Sequence, residues 1–421
     1  MLITILTAGT RGDTQPFIAL ALGLQRAGHR VRLVGARNFA TWVQGYGLDF
    51  FPLRINLTEM LNTADAQAIM EADSPLRGMV KQLRAVRSTV MMDDLQGDVW
   101  QACQDAEAII YTPVVINGYF IARHLGIPSV MVSAFPISPT RYRPSALFYH
   151  GPHLGSAYNR FTHMVFDQLF WQTARPSVKG FWRRQNVDMD VPFMSPYACQ
   201  RDERQPVLYG YSEHVLSRPA DWPAHISVTG YWFLDPEADW QPPADLLDFI
   251  HSGPPPVYIG FGSMGNIRRA QETTAIVLRA LALAGQRAVL ASGWGGLSRD
   301  TPLPDRVFMV SDVPHGWLFP QMAAVVHHGG AGTTAAGLRA GVPSVVVPHG
   351  ADQPMWGRRI WELGVGPQPV ARKRLTAENL AAAIVAALQD DVRERAGTIG
   401  RRIRAEDGVA RAVELVHHYI C

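Results

Sequence analysis

The segment 323–354 restricts the possible folds of this 421-residue sequence more than any other part of it. An apolar run at its start, Ala323–Val326, predicts a buried strand. The stretch Ala335–Ala340 is typical of a helix and ends at Gly341, and a second apolar run, Ser344–Val347, predicts another buried strand. Strand, helix and strand in this order form a βαβ unit, which places the two strands parallel in one sheet.

The turn between the first strand and the helix is rich in glycine over residues 329–332 and continues into Thr333. Such a turn leaves the backbone N–H groups of the first helical turn, and the positive end of the helix dipole, directed at one place. An anion, most naturally a phosphate, binds there, and His328 at the strand end can donate to the same anion. Asp352 and Gln353 follow the second strand, at the sheet edge where open α/β sheets bind ligands.

The same plan recurs at both ends of the sequence. Leu2–Leu6 predicts a strand, Thr7–Gln15 a loop, and Pro16 the first residue of a helix. A proline-rich stretch, Leu234–Pro256, separates the two halves. We therefore expect an α/β protein of two doubly wound parallel-sheet domains that face each other, with a ligand cleft between them. The predicted parts are a domain over 1–235, a linker region over 236–256, a domain over 257–400 and a last helix within 401–421.

Composition excludes several classes of protein. A net charge of +3 over 421 residues is weak for a nucleic-acid-binding protein. No apolar run approaches the roughly 18 residues that a membrane-spanning helix needs, and the first residues, MLITIL, predict a strand instead of a signal peptide. The cysteines are odd in number and far apart (Cys103, Cys199 and Cys421), which predicts no disulfide framework and favours the cytoplasm.

The segment 139–184 combines basic and aromatic residues. It holds seven Lys and Arg side chains against a single acid, Asp167, and ten aromatic side chains are interleaved with them. One interpretation is an amphipathic helix with a solvated basic face. The other is a surface that meets anionic lipid as a weak peripheral contact, or that admits an apolar ligand.

The run HHGGAGTTAAGLRAGVPSVVVPHGADQP, together with Thr10-Arg11-Gly12-Asp13, resembles the inverting nucleotide-sugar glycosyltransferases of the two-domain GT-B type. Within them it is most similar to sterol glucosyltransferases and to bacterial enzymes that glycosylate lipophilic natural products. The resemblance covers the first strand and loop and most of Val257–Pro369. It implies that the domain over 1–235 binds the acceptor, that the domain over 257–400 binds the nucleotide sugar, and that the last helix packs back on the first domain.

The activity implied is the transfer of a hexose, glucose above all, from a UDP- or TDP-sugar to a hydroxyl of a sterol, hopanoid or other lipophilic acceptor, with inversion. The residues implied at the donor are the diphosphate ligands His328, Ala331, Gly332 and Thr333, the sugar ligands Asp352 and Gln353, Val313 and His315 near the nucleobase and diphosphate, Ser263 and Trp294 beside the donor, and Thr10 and Arg11 across the cleft.

Asp13 is the predicted catalytic base, because it is the only carboxylate in the first loop. Many relatives use a histidine there, but residues 8–15 contain none. An aspartate just before Pro16 also suits a helix cap, and the residues alone leave both roles open. A second departure is Ala336, which stands where plant members carry a ribose-binding carboxylate, so the ribose contacts stay unassigned.

No metal or other cofactor is expected beyond the nucleotide sugar as co-substrate. His327 and His328 are adjacent in a strand and therefore point to opposite faces, which disfavours a metal pair. The acidic triplet Asp188-Met189-Asp190 lies far from any nucleotide loop and is interpreted as a solvated turn. Two rival functions remain: a sugar-nucleotide 2-epimerase of the same fold, and a non-catalytic protein that binds nucleotide sugars or lipids.

Overall fold

The computed structural model describes residues 1–55, 90–149, 151–152, 154–197, 205–237, 240–262, 270–293, 296–298 and 300–420. The chain divides into two compact units, called unit 1 and unit 2 below. Unit 1 comprises Met1–Leu234 together with Asp407–Cys421, and unit 2 comprises Asp235–Glu406.

Unit 1 is built on a parallel sheet. Its described strands are β1 (Leu2–Leu6), β2 (Arg30–Ala36), β3 (Asp49–Leu53), β4 (Ala108–Tyr111), β5 (Ser129–Ser133), β6 (Val207–Tyr209) and β7 (Ile226–Val228). They lie in the order β3-β2-β1-β4-β5-β6-β7. The helices are α1 (Arg11–Arg26), α2 (Ala40–Gly45), α3 (Val90–Ala102), α4 (Asn117–Leu125) and α5 (Ser156–Arg184).

Unit 2 repeats the design with a smaller sheet. Its described strands are β8 (Val257–Gly260), β9 (Ala288–Ala291), β10 (Val307–Val310), β11 (Ala324–His327) and β12 (Ser344–Val346), in the order β10-β9-β8-β11-β12. The helices are α6 (Ala244–His251), α7 (Ala270–Ala284), α8 (His315–Leu318), α9 (Ala331–Ala340), α10 (Gln353–Glu362), α11 (Ala377–Ala387) and α12 (Asp390–Arg404). The last helix of the chain, α13 (Gly408–Ile420), belongs to unit 1.

Both faces of the unit 2 sheet are covered. In β8, Val257 and Ile259 belong to one buried apolar cluster, which also contains residues of α7 and α11. Tyr258, between them, belongs to the cluster on the other face, with residues of α6 and α8. Strands buried on both sides are what helices on both faces of a parallel sheet require. The α/β fold class of two doubly wound parallel sheets, expected from the sequence, is therefore confirmed.

The start of α1 corrects a sequence-based expectation. The loop predicted over Thr7–Gln15 ends at Thr10, because α1 begins at Arg11. Pro16 therefore lies inside the helix instead of at its first position. The ring costs one hydrogen bond near the helix start, and the capping interactions described below offset that loss.

Helix α13 packs on α1 within unit 1. A Cβ atom placed on Gly23 of α1 would come within 2.6 Å of Val409 and 3.0 Å of Val413. The glycine therefore permits the close approach of the two helices. Among the described residues, no helix is both long enough and apolar enough to cross a membrane.

The long helix α5 contains most of the basic and aromatic segment 139–184. Five of the ten aromatic side chains of this segment are buried in unit 1: Tyr149, Phe166, Trp171, Phe181 and Trp182. Half of the aromatic side chains in the segment therefore belong to the core of unit 1 and not to its surface.

Candidate functional site

Each sheet has one point at which the direction in which successive strands are added is reversed. In unit 1 it lies between β1 and β4, and in unit 2 between β8 and β11. At such a switch point the loops after the two strands diverge to opposite faces and leave a crevice at the carboxyl edge of the sheet. Helix α1 begins beside the first crevice and helix α9 beside the second.

Helix α9 starts without a side-chain cap. Its N-cap residue is Gly330, with extended backbone, and its first turn, Ala331-Gly332-Thr333, contains no acid. The first intrahelical hydrogen bond is donated by the N–H of Thr334 to the carbonyl oxygen of Gly330, at 2.9 Å. The amides of the first turn and the positive end of the helix dipole are thus directed at the crevice, as an anion site requires.

His328 lies directly against this helix start. A Cβ atom on Gly330 would come within 2.5 Å of its Nε2, and one on Gly262, after β8, within 3.0 Å of its Cε1. Both glycines therefore make room for the ring. Burial lowers the pKa of His328 to about 4, so the ring is neutral near pH 7. Among the described residues, its Nδ1 has no hydrogen-bond partner.

His327 has a structural role in the same turn. Its Nδ1 accepts a hydrogen bond from the N–H of Gly329 at 3.0 Å, and burial holds its pKa well below the usual value. Gly329 has φ +88°, where a side chain would be strained, and its Cβ would lie 2.7 Å from Val346 of β12. The buried histidine and this glycine together fix the turn that presents His328.

The loop after β12 is tied down by Gln353. Its Oε1 accepts hydrogen bonds from the backbone N–H of His349 (2.8 Å) and of Gly350 (3.1 Å). Asp352 accepts from the indole N–H of Trp356 at 2.7 Å. Ala351 has φ +52°, a conformation that a residue with a side chain rarely adopts and that is common at ligand-binding loops.

A third part of the site follows β10. Val313 is buried, and His315 begins α8. The imidazole stacks on Phe319 with ring centres 4.3 Å apart, and its Nε2 lies 3.3 Å from the hydroxyl of Tyr258 on β8. The predicted ligands of unit 2 thus follow β10, β11 and β12 along the same sheet edge.

In unit 1, Asp13 occupies the third position of α1. One carboxylate oxygen, Oδ2, accepts from the backbone N–H of Thr10 (2.7 Å) and from its hydroxyl (3.0 Å). The hydroxyl of Thr7 donates to the backbone carbonyl of Asp13 at 2.8 Å. A Cβ atom on Gly9 would overlap the carboxylate, so only glycine fits there. Asp13 is therefore a capping residue, which makes one of its two predicted roles a structural fact.

The surroundings of Asp13 also affect its basicity. The side chain of Asp13 keeps exposed surface. The surrounding protein nevertheless desolvates the carboxyl and raises its pKa above the ordinary value, and the hydrogen bonds from Thr10 oppose this rise. A raised pKa makes the carboxylate a better proton acceptor. Arg11, predicted to face the donor, places its guanidinium 4.6 Å from the ring centre of Trp42.

Two predicted donor ligands, Ser263 and Trp294, lie outside the described residues. Sequence reasoning also missed two residues. These are Tyr258 and His349, to which the sequence analysis assigned no role. A signal for His349 was present in the sequence, because the residue follows the second strand of the signature closely, at the ligand edge of the sheet.

Two groups of residues were considered above as metal ligands, His327 with His328 and Asp188 with Asp190. The rings of His327 and His328 are 6.4 Å apart and nearly perpendicular. Asp188 and Asp190 are exposed in an irregular stretch. Within the described ranges, no group of three or more His, Cys, Asp or Glu side chains is arranged to hold a metal ion.

Two family models match the chain. The N-terminal domain of glycosyltransferase family 28 matches residues 3–142, and the C-terminal domain described as erythromycin biosynthesis protein CIII-like matches residues 278–411. The boundaries leave the middle of the chain, which contains α5, outside both models.

Similar proteins of known sequence are sterol glucosyltransferases. The chain is 38% identical over 422 residues to sterol 3-beta-glucosyltransferase UGT80B1 of Arabidopsis thaliana, covering 99% of this chain and 68% of that protein. It is 35% identical over 433 residues to sterol 3-beta-glucosyltransferase of Aspergillus terreus, again over 99% of this chain. The chain spans only 30% of the length of this fungal relative.

Solved structures show the same fold at low identity. The glycotransferase of kitacinnamycin superposes with a TM-score of 0.68 at 22% identity, covering 100% of this chain and 99% of that one. The calicheamicin glycosyltransferase CalG4 gives a TM-score of 0.68 at 19% identity, with coverage of 99% and 97%. These comparisons confirm the resemblance inferred from the signature.

Proposed function

The chain belongs to the glycosyltransferase family of the sterol 3-beta-glucosyltransferases, and we propose that it transfers glucose from a UDP- or TDP-sugar to a hydroxyl of a lipophilic acceptor. Sterols are the first acceptors to consider, because the similar proteins are named for them. Hopanoids and other apolar natural products have the same chemistry, a hydroxyl on a large apolar body.

The open start of α9 beside His328 is the observation that carries this proposal. A nucleoside diphosphate leaves with roughly two negative charges, and fixed N–H donors stabilise such charge without reorganising during the reaction. The amides of Ala331, Gly332 and Thr333 and the neutral ring of His328 supply these donors. Val313 and His315 would then lie on the nucleoside side, and Asp352 and Gln353 on the sugar side.

Asp13 is the proposed base. It takes the proton of the acceptor hydroxyl while the hydroxyl oxygen attacks the anomeric carbon of the sugar. The bond between this carbon and the phosphate oxygen breaks, and the diphosphate leaves with the electron pair. A single displacement of this kind inverts the configuration. The base is needed late, when the attacking hydroxyl has already become more acidic.

No metal ion is assigned a role, because amides, the helix dipole and His328 oppose the charge of the leaving group. We expect turnover to be unchanged by a chelator of divalent cations. Complete loss of activity in the chelator, restored by added Mg²⁺ or Mn²⁺, would contradict this assignment.

The proposal is tested with a panel of UDP- and TDP-sugars against sterol, hopanoid, macrolide and phenolic acceptors. The expected result is acceptor-dependent release of the nucleoside diphosphate, with an inverted glycoside identified by NMR. A change in the donor sugar without any acceptor would favour the 2-epimerase instead. Binding without turnover across the panel would favour a non-catalytic protein.

A further inference from the structure

His349 lies where the ends of three strands of unit 2 meet. Its ring centre is 5.5 Å from that of Phe261, which follows β8, and 6.4 Å from that of His328, which follows β11. His349 itself follows β12. The ring is therefore next to the anion site at the start of α9, on the side of β12.

The hydrogen bond of His349 determines which of its nitrogens carries the proton. Nδ1 lies 2.9 Å from the carbonyl oxygen of Val347, and a carbonyl only accepts, so Nδ1 carries the hydrogen. Burial lowers the pKa of His349 to about 3, which keeps the ring neutral near pH 7. Nε2 of the neutral ring then holds a lone pair and acts only as an acceptor.

The loop fixes the position of this ring. Gln353 accepts hydrogen bonds from the backbone of His349 and of Gly350, and the loop continues through the left-handed residue Ala351. A loop held in this way does not rearrange easily when a ligand arrives. His349 is therefore preorganised, as a residue that discriminates between ligands needs to be.

The order of the strands suggests which part of the donor lies next to His349. The predicted nucleoside ligand His315 follows β10, the diphosphate ligand His328 follows β11, and the sugar ligand Asp352 follows β12. The sheet order β10-β9-β8-β11-β12 places them in that sequence along one edge. His349 precedes Asp352 in the loop after β12, which is the sugar side.

We propose that His349 selects a hydroxylated donor sugar by accepting a hydrogen bond at Nε2 from one sugar hydroxyl. This inference rests on the proposed function and names the class of sugar that the site takes. A deoxysugar that lacks this hydroxyl would leave Nε2 of His349 without this hydrogen bond, and sites built for a hydroxyl reject such analogues.

The test is calorimetric binding of UDP-glucose, TDP-glucose and their 2-, 3-, 4- and 6-deoxy analogues. Binding needs no acceptor, so the result does not depend on finding one. We expect one of the deoxy donors to bind roughly 5- to 150-fold more weakly than the glucose donor, because it leaves Nε2 of His349 without a hydrogen-bond partner. His349→Phe keeps the contact with Phe261 and should weaken binding of the glucose donor by a similar factor. The variant should bind that deoxy donor no more weakly than it binds the glucose donor.

The controls separate this role from simple loss of folding. His418→Phe, a change at an exposed histidine of α13, should leave all affinities and the melting temperature unchanged. His349→Phe should still bind the glucose donor more tightly than donors that lack a hydroxyl bound by Asp352. Equal losses for every donor in His349→Phe, or no loss, would overturn the role of His349 and leave the proposed function intact. Failure of every nucleotide sugar to bind the wild type would overturn both.

Discussion

Helices α1 and α9 begin at equivalent places, each beside the switch point of its own sheet, but their first turns differ. In α1, the carboxylate of Asp13 accepts hydrogen bonds from Thr10, so the helix start is occupied by a charge of the protein itself. In α9, the cap is Gly330 and the first turn has no acid. The same architecture thus holds a fixed carboxylate in unit 1 and is left open to an external anion in unit 2.

The proposed function gives the two units separate tasks, in keeping with this difference. In the proposed mechanism the carboxylate of Asp13 accepts the proton of the acceptor hydroxyl, and its raised pKa favours that task. An open helix start next to a neutral histidine is suited to a leaving phosphate. The fold is duplicated, whereas the first turn of α1 contains Asp13 and the first turn of α9 contains no acid.

The largest effect is expected from Asp13→Asn. The amide oxygen still accepts from Thr10, so the cap persists and the melting temperature should change little. Turnover should fall by roughly 10²–10⁴-fold, because the amide cannot take a proton. Calorimetry should show nearly unchanged donor binding. The matched control, Asp188→Asn, removes an exposed carboxylate of unit 1 and should retain full activity. Near-normal turnover of Asp13→Asn would reduce the residue to a cap.

His328→Ala tests the proposed anion site of unit 2. Removal of an N–H donor from the diphosphate should weaken UDP binding by roughly 1–3 kcal/mol, or 5- to 150-fold. His418→Ala changes an exposed histidine of unit 1 and serves as the control. Unchanged affinity for UDP would remove His328 from the site.

The same variant should also change how the melting temperature depends on pH. The pKa of His328 is lowered to about 4 in the folded chain, against 6.5 for an ordinary histidine. Below pH 6.5 the unfolded chain therefore takes up a proton that the folded chain does not, and stability falls as the pH drops towards 4. The melting temperature of His328→Ala should fall less steeply over this range. A parallel decline would show that this histidine is not buried in a neutral form.

Thr333→Asp copies the first turn of α1 into α9, because Thr333 occupies the same position there as Asp13 does in α1. A carboxylate at this position should stabilise the helix by about 0.3–1 kcal/mol and raise the melting temperature. It should also repel the diphosphate and weaken UDP binding about tenfold, or 1.4 kcal/mol. Thr333→Asn, which adds no charge, should do neither. A gain in stability without a loss of UDP affinity would show that the anion binds elsewhere.

The sequence predicted the features that depend on short-range patterns. The βαβ unit and the α/β class follow from apolar runs and glycine spacing, and they are present in the structure. The helix of this unit was predicted to begin at Ala335, but α9 begins at Ala331, so the residues predicted as the end of the turn form the first turn of the helix. The start of α1 was misplaced because Pro16 is typical of a first helical position, whereas the interaction between Thr10 and Asp13 starts the helix earlier. The ring contacts of His349 with Phe261 and His328, and the contact of Tyr258 with His315, join residues far apart in the chain, and no local pattern reveals these contacts.

The two units differ at their surfaces as well. The large apolar side chains that are well exposed among the described residues are Met1, Val114, Tyr142, Leu154, Phe161, Met164, Phe193 and Met194 in unit 1, and Leu283, Trp361 and Val385 in unit 2. Gln168 and Gln172 of α5 both donate to the carbonyl of Phe193, which holds the loop of Phe193 and Met194 against the helix that exposes Phe161 and Met164. We propose this surface of unit 1 as the side that meets an amphiphile or an anionic membrane.

The basic residues of this region do not all contribute to such a contact. Arg143 donates to the carbonyl of Ser217 at 2.8 Å, and Arg175 to that of Pro192 at 2.9 Å, so both have structural roles. The exposed cations of the segment 139–184 are Arg141, Arg160, Arg183 and Arg184. A variant that tests surface charge should therefore change these four and leave Arg143 in place.

The smallest effect is expected for vesicle binding. Each exposed cation near an anionic surface contributes about 1 kcal/mol, and salt screens this attraction. Co-sedimentation with anionic vesicles should therefore occur at low ionic strength and fall steeply towards physiological salt, while neutral vesicles bind poorly. Changing Arg141, Arg160, Arg183 and Arg184 to Gln should abolish it. The matched control changes four exposed arginines of unit 2 to Gln: Arg374, Arg393, Arg401 and Arg402. If both variants lose binding equally, or if the wild type does not bind anionic vesicles at low salt, the four arginines of the segment 139–184 are only solvated. The acceptor would then reach unit 1 as a soluble natural product.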